Sequence, residues 1–154
     1  MLALNLPEYP IKVKDIEGKK FIFDDIRRQY IALTPEEWVR QHFVHFLIRH
    51  KGYSQSLMGN EVLVNLHNQK KRCDTVVYNN QLQPLMIIEY KAPEVKISQA
   101  VFNQICRYNI VLKVNYLVVS NGLQHYCCEL DYTTQQYKFL LDIPTYSQLK
   151  NEIE

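Results

Sequence analysis

The stretch "MIIEYKAPE", residues 86–94, constrains this chain more than any other. Its aliphatic start is that of a strand bound for a core, and Pro93, which cannot donate to a sheet ladder, stops it soon after. Side chains alternate across a strand, so Ile87, Glu89 and Lys91 share one face while Met86, Ile88 and Tyr90 share the other. Whatever sheet receives this strand must hold a carboxylate and an ammonium side by side at the strand's carboxyl end. Two readings are open at this point: a surface ion pair on a solvated strand end, or a metal-dependent hydrolytic site.

The neighbouring segments predict the setting. Residues 11–24, "IKVKDIEGKKFIFD", form two short strands around a Glu17-Gly18 turn. In "LTPEEWVRQHFVHFLIRHKGY", Thr34 caps a helix, Pro35 suits its first position and Glu37 completes a capping box. Val39, Phe43, Phe46, Leu47 and His50 follow helical spacing, and Gly52 ends the helix. Strands are expected over 61–66, 72–78 and 85–91, the last two joined by the turn-rich "NNQLQP". Ser98 caps a second amphipathic helix with Val101, Ile105, Tyr108 and Leu112 on one stripe. "NYLVVSNG" is a short buried strand ending at an Asn121-Gly122 turn, "LQHYCCEL" is its successor, and a strand over 137–141 and a helix from about Tyr146 close the chain. The order β-β-α-β-β-β-α-β-β-β predicts an α/β (α+β) fold, one mixed sheet flanked by helices.

Composition excludes several classes. At 154 residues and 47% apolar content the chain is expected to form a single domain spanning 1–154 and not to be disordered. No apolar run approaches the ~20 residues that cross a bilayer, and the N-terminus lacks a basic start followed by an apolar stretch, so the cytoplasm is the default location. Cys73, Cys106, Cys127 and Cys128 show no zinc-type spacing. Adjacent Cys127 and Cys128 would point to opposite faces of a strand, and all four read as reduced and mostly buried. A net charge of +2 is not that of a polybasic nucleic-acid binder. The run Lys70-Lys71-Arg72 is either a solvated turn or a set of phosphate contacts. His42 and His45, three apart on the first helix, read as packed or solvent-facing side chains rather than metal ligands.

A hairpin between the strands at 72–78 and 85–91 brings Asp74 close to Glu89. Two carboxylates and a lysine at a sheet end suit Mg²⁺, which takes one or two carboxylates and keeps several waters. A bound ion polarises a phosphoryl oxygen and lowers the pKa of its water, while an ammonium stabilises charge developing on phosphate. Gln104 and Tyr108 sit four apart on the second helix, and both are expected to look toward the sheet.

"RCDTVVY", "IIEYKAP" and "QICRY", in that order, resemble the PD-(D/E)xK nuclease superfamily, and more narrowly the N-terminal nuclease domain of type I restriction enzyme R subunits. The likeness extends over most of the chain, from "GKKFIFD" and "LTPEEWVRQ" to "YLVVSNG". It implies a restriction-endonuclease-like fold in which Asp74 and Glu89 bind Mg²⁺, with Mn²⁺ as a substitute, and Lys91 is the catalytic lysine. Gln104 and Tyr108 match the QxxxY motif that lies beside such sites, and Glu37 matches a supporting acidic residue on the first helix. Cys73 stands where the superfamily's nominal proline would be. The resemblance implies DNA as the substrate, for which the run Lys70, Lys71 and Arg72 is the candidate contact where it is not a solvated turn, and motor, methyltransferase or specificity subunits as partners. No glycine begins a GxxxxGK[ST] phosphate loop, so no ATP site is expected. The expected function is a Mg²⁺-dependent endodeoxyribonuclease without the ATP-driven motor; the alternative is a noncatalytic DNA-binding or subunit-interaction module that keeps the nuclease fold.

Overall fold

The computed structural model describes residues 2–149. Three short strands, β1 (Val13–Ile16), β2 (Lys19–Asp24) and β3 (Gln29–Ala32), form an antiparallel sheet of their own, ahead of helix α1 (Pro35–His50). A second sheet contains β4 (Met58–Leu66), β5 (Gln69–Tyr78), β6 (Pro84–Tyr90), β7 (Tyr116–Ser120), β8 (His125–Asp131) and β9 (Gln136–Leu140), side by side in chain order. Helix α2 (Gln99–Ile110) joins β6 to β7, which run parallel; the other neighbours are antiparallel. The single parallel pair follows from the connection, because parallel strands need a crossover long enough to hold a helix.

The caps fix the helices as their sequence directs. Thr34 accepts the Glu37 N–H at 3.0 Å, and Gly52, at φ 74°, lets the Tyr53 N–H return to the Leu47 carbonyl at 3.1 Å. Ser98 accepts the Val101 N–H at 3.2 Å at the start of α2. The large sheet is covered on both faces. Val39, Phe43, Val44 and Leu47 of α1 pack on Met86, Ile88, Tyr90, Val118 and Cys127, while Phe102 and Cys106 of α2 pack on Ile87, Leu117, Val119 and Cys128. Alternation along β6 therefore sends one set of side chains to each helix, and Cys127 and Cys128 fall on opposite faces as expected. All four cysteines are buried and unbridged.

Several expectations need correction. The N-terminal strands do not join the main sheet, because β3, which the sequence reading did not anticipate, pairs with β2 and occupies its second edge. The turn before β3 is closed by Asp24, whose Oδ1 accepts the Ile26 and Arg27 N–H groups. The Glu37 carboxylate does not make the return bond of a capping box; it is directed to Arg27, Arg40 and Gln41 instead. The buried row of α2 is Phe102, Cys106 and Asn109, not Val101, Ile105 and Tyr108, because Phe102 inserts between the rings of Tyr126 and Phe139 and turns the helix accordingly. At the C-terminus, the helix expected from Tyr146 is a single 3₁₀ turn over Tyr146–Gln148, with Leu149 extended after it; the rest of that expected helix lies outside the described residues.

Candidate active site

The site is built around an interruption in a ladder. In the β4–β5 register Asn60 pairs with Thr75 and Val62 with Cys73, but the intervening Glu61–Asp74 pair is missing, and Glu61 has φ 55°. Backbone polar groups left without a ladder partner need another. The Asp74 carbonyl accepts Arg40 Nη1 at 2.6 Å, and the Glu61 carbonyl accepts Arg72 Nη1 at 3.1 Å. Side-chain alternation on β5 changes phase at this point: Lys71 and Cys73 face α2, and so do Val76 and Tyr78.

Across the hairpin, Thr75 pairs with Ile88, so Asp74 stands level with Glu89. The two carboxyl groups are close enough to raise each other's charge cost, and Asp74 Oδ2 accepts the Tyr90 N–H at 2.9 Å. Burial and the adjacent Glu89 charge push Asp74 up to about 6, against the opposing pull of the Tyr90 N–H and Arg40. Lys91 extends the same strand, its N–H held by the Ser120 carbonyl at 2.9 Å. The Lys91 ammonium has no hydrogen-bond or ion-pair partner among the described residues.

Glu89 and Lys91 open into a cleft of about 560 Å³ between the sheet and α2, lined also by Lys71, Gln104, Arg107, Tyr108 and Asn109. Gln104 and Tyr108, expected to look toward the sheet, stand instead at the solvent-exposed rim of this cleft, because the buried row of α2 is Phe102, Cys106 and Asn109. The basic run divides three ways. Lys70 is exposed, Arg72 is tied to Glu61, and Lys71 turns inward to the Glu89 carboxylate and to Asn109 Oδ1 at 2.9 Å.

Glu37 lies on the α1 side. Its two oxygens accept Arg27 Nη2 at 2.9 Å and Arg40 Nε, Arg40 Nη2 and Gln41 Nε2 at 3.0 Å each. Arg40 is the link to the strands, donating to Glu61 Oε1 at 2.8 Å as well as to the Asp74 carbonyl. A second chain of bonds runs from Asp24 through Asn60 and Thr75 to the Tyr90 hydroxyl. Sequence reasoning missed Arg27, Arg40 and Asn109. Arg40 was visible in outline, since it follows Glu37 by three on a helix. Asn109 carried no such signal. His42 and His45 pack as expected, His42 against Trp38 and His45 stacked on Tyr9.

An oxygen-only pair of carboxylates that holds a proton unusually high is a donor set suited to a hard divalent cation, whose charge would relieve their repulsion. The described residues contain no cluster of three or more His, Cys, Asp or Glu placed to hold a metal, so an ion held by Asp74 and Glu89 would need water for its remaining positions. No helix among the described residues is long and apolar enough to cross a membrane.

Residues 35–144 match the family described as type I restriction enzyme R protein N terminus. A search of curated proteins gave no match. Among solved structures, the fold is similar to a fragment described as an HsdR subunit of a type I restriction enzyme from Vibrio vulnificus YJ016, at 20% identity and a TM-score of 0.53. The match covers 77% of this chain and 25% of that one, so the chain spans about a quarter of the relative's length. With the family match running over most of its length, from the first turn of α1 to beyond β9, the chain belongs to the type I restriction enzyme R protein N-terminus family.

Proposed function

We propose that this chain carries a Mg²⁺-dependent centre that hydrolyses DNA phosphodiester bonds within a type I restriction assembly. The observation that carries this reading is the meeting of Asp74 and Glu89 across β5 and β6, beside Lys91, whose ammonium has no partner among the described residues, and a cleft of suitable size. Asp74 and Glu89 would hold Mg²⁺, or Mn²⁺ in its place. Bound there, the ion supplies Lewis-acid polarisation of a phosphoryl oxygen and a more acidic water.

The chain's own groups divide the remaining work. Lys91 offers three N–H donors to a phosphate oxygen or to the attacking water, and stabilises charge that develops in the transition state. Gln104 and Tyr108, at the cleft rim, position the phosphate by hydrogen bonding. Arg107 at the rim and Lys70 on the neighbouring hairpin meet the DNA backbone, which fixes register without reading sequence. Arg72 contributes charge to that surface while holding the ladder gap open. Glu37 supports the site at one remove, through Arg40 and the Asp74 carbonyl, and is not itself a ligand. DNA is thus the proposed substrate, and the motor, methyltransferase and specificity functions of such an assembly are supplied by other residues than these.

Nicking and linearisation of supercoiled plasmid with Mg²⁺ or Mn²⁺ tests the reading, comparing wild type with Asp74→Ala and Lys91→Ala. Each substitution is expected to lower the cleavage rate by at least about 100-fold, the usual effect of removing a group that stabilises the transition state. Cleavage that either variant retains at the wild-type rate refutes the assignment. A folded wild type that binds plasmid and cleaves with neither ion would favour the noncatalytic binding module.

A further inference from the structure

Lys71 is held as no other basic residue of the cleft is. Its side chain is only 9% exposed, although its neighbours in sequence, Lys70 and Arg72, are exposed. Groups from three directions converge on its ammonium. Glu89 of β6 accepts one bond, Asn109 Oδ1 of α2 accepts another at 2.9 Å, and the Tyr108 ring lies beneath it with its centroid 4.5 Å away. The seat is itself fixed. Asn109 Nδ2 donates to the Ile105 carbonyl at 2.9 Å, which leaves its amide oxygen facing Lys71. The aromatic face attracts the charge directly, more strongly for being partly out of water.

The Glu89 carboxylate that Lys71 grips is half of the pair assigned to the divalent ion under the proposed function, and this inference rests on that assignment. Two cations on one carboxylate repel each other, strongly so in a partly buried cleft. We propose that Lys71 is an internal counter-cation of the Asp74/Glu89 pair: it occupies Glu89 in the empty site and must give up that carboxylate when the pair takes up an ion. Asn109 and Tyr108 then keep the displaced ammonium inside the cleft, where it faces the phosphate. The two lysines thereby have different duties. Lys91 is available at all times, whereas Lys71 becomes available only as the site loads. The tyrosine of the QxxxY motif acquires a defined task, as the platform on which Lys71 rests.

The test measures Mn²⁺ binding to the full chain without DNA, by calorimetry or by the electron paramagnetic resonance signal of free Mn²⁺, at constant ionic strength. The proteins are wild type, Lys71→Met, Lys71→Arg and Glu89→Gln, each verified as folded by circular dichroism. Lys71→Gln replaces Lys71→Met if the latter fails to fold, since it can bond Glu89 without carrying charge. A contact closed about ten times as often as open weakens apparent affinity roughly tenfold, so Lys71→Met is expected to bind Mn²⁺ roughly tenfold more tightly than wild type. Lys71→Arg, which keeps the charge, is expected to stay near wild type. Equal or weaker binding by Lys71→Met, with wild-type binding that Glu89→Gln abolishes, overturns the counter-cation and leaves the metal site standing. No saturable binding to wild type and Lys71→Met, or binding that Glu89→Gln leaves unchanged, overturns both.

Discussion

Replacing Asp74 by asparagine is expected to stabilise the protein at neutral pH while removing its proposed activity. In the native state Asp74 is pushed up to about 6, first by burial and then by Glu89, from an ordinary value of 3.8. A rise of that size means that holding the ionised group at neutral pH costs the folded state at most about 3 kcal/mol, with 1–3 kcal/mol a realistic span. Asparagine keeps the volume and removes the charge. Its amide oxygen can accept the Tyr90 N–H that Asp74 Oδ2 now accepts at 2.9 Å, and its amide N–H can donate to Glu89. The sign of the pH dependence follows from proton binding. Between about 4 and 6 the folded state binds more protons at this position than the unfolded chain, so wild-type stability falls as pH rises through that window. Below it both states are protonated and the burden disappears. Urea unfolding in EDTA at pH 7.5 and pH 4 therefore separates the variants: Asp74→Asn should have the higher midpoint at pH 7.5, and the difference should shrink at pH 4. Added Mg²⁺ should raise the wild-type midpoint and leave the variant's almost unchanged, because only the wild type keeps the full ligand pair. An Asp74→Asn protein less stable than wild type at pH 7.5, or a gain of equal size at both pH values, refutes the reasoning.

Two further predictions concern the support of the site. Arg40→Ala leaves Glu37 buried with fewer partners and the Asp74 carbonyl without its 2.6 Å donor, and breaking such a buried pair from one side costs about 3–5 kcal/mol. Urea unfolding should show that loss; a loss below about 1 kcal/mol would mean that water replaces the guanidinium without difficulty. Thr34→Ala removes the acceptor of the Glu37 N–H and should lower stability by about 1 kcal/mol in thermal melts, with the plasmid cleavage rate unchanged.

The parts of this fold that were legible in the sequence are those that local chemistry decides. A threonine, a proline and a glycine at set positions define α1, whatever it later packs against. Alternation through "MIIEYK" sends Ile87 toward α2 and Ile88 toward α1, and a short turn between two strands makes the Asp74–Glu89 encounter a matter of hairpin register. The family resemblance added the roles proposed for these residues. Local pattern was less informative where an element is short or its face ambiguous. β3 has only four residues and becomes a strand because β2 offers it an edge. The rotation of α2 was misread because Val101, Ile105 and Tyr108 make as good a stripe on paper as Phe102, Cys106 and Asn109. Packing of Phe102 between Tyr126 and Phe139 chose between them.

Sequence alone thus determined which groups carry charge, which strand they end on and which segments become helices, since caps, turns and alternation act between residues close in the chain. Tertiary structure decided what those charges meet. Glu37 looked like a cap and became the anchor of Arg40, and Lys71 looked like a surface cation and became the partner of Glu89, 18 residues away. Asn109, without any marker in its own neighbourhood, became the acceptor for that lysine 38 residues distant. Such pairings are set by how sheet and helices pack in three dimensions. Burial then enforces them, because a charge taken out of water needs an opposite charge or a hydrogen-bonding partner beside it.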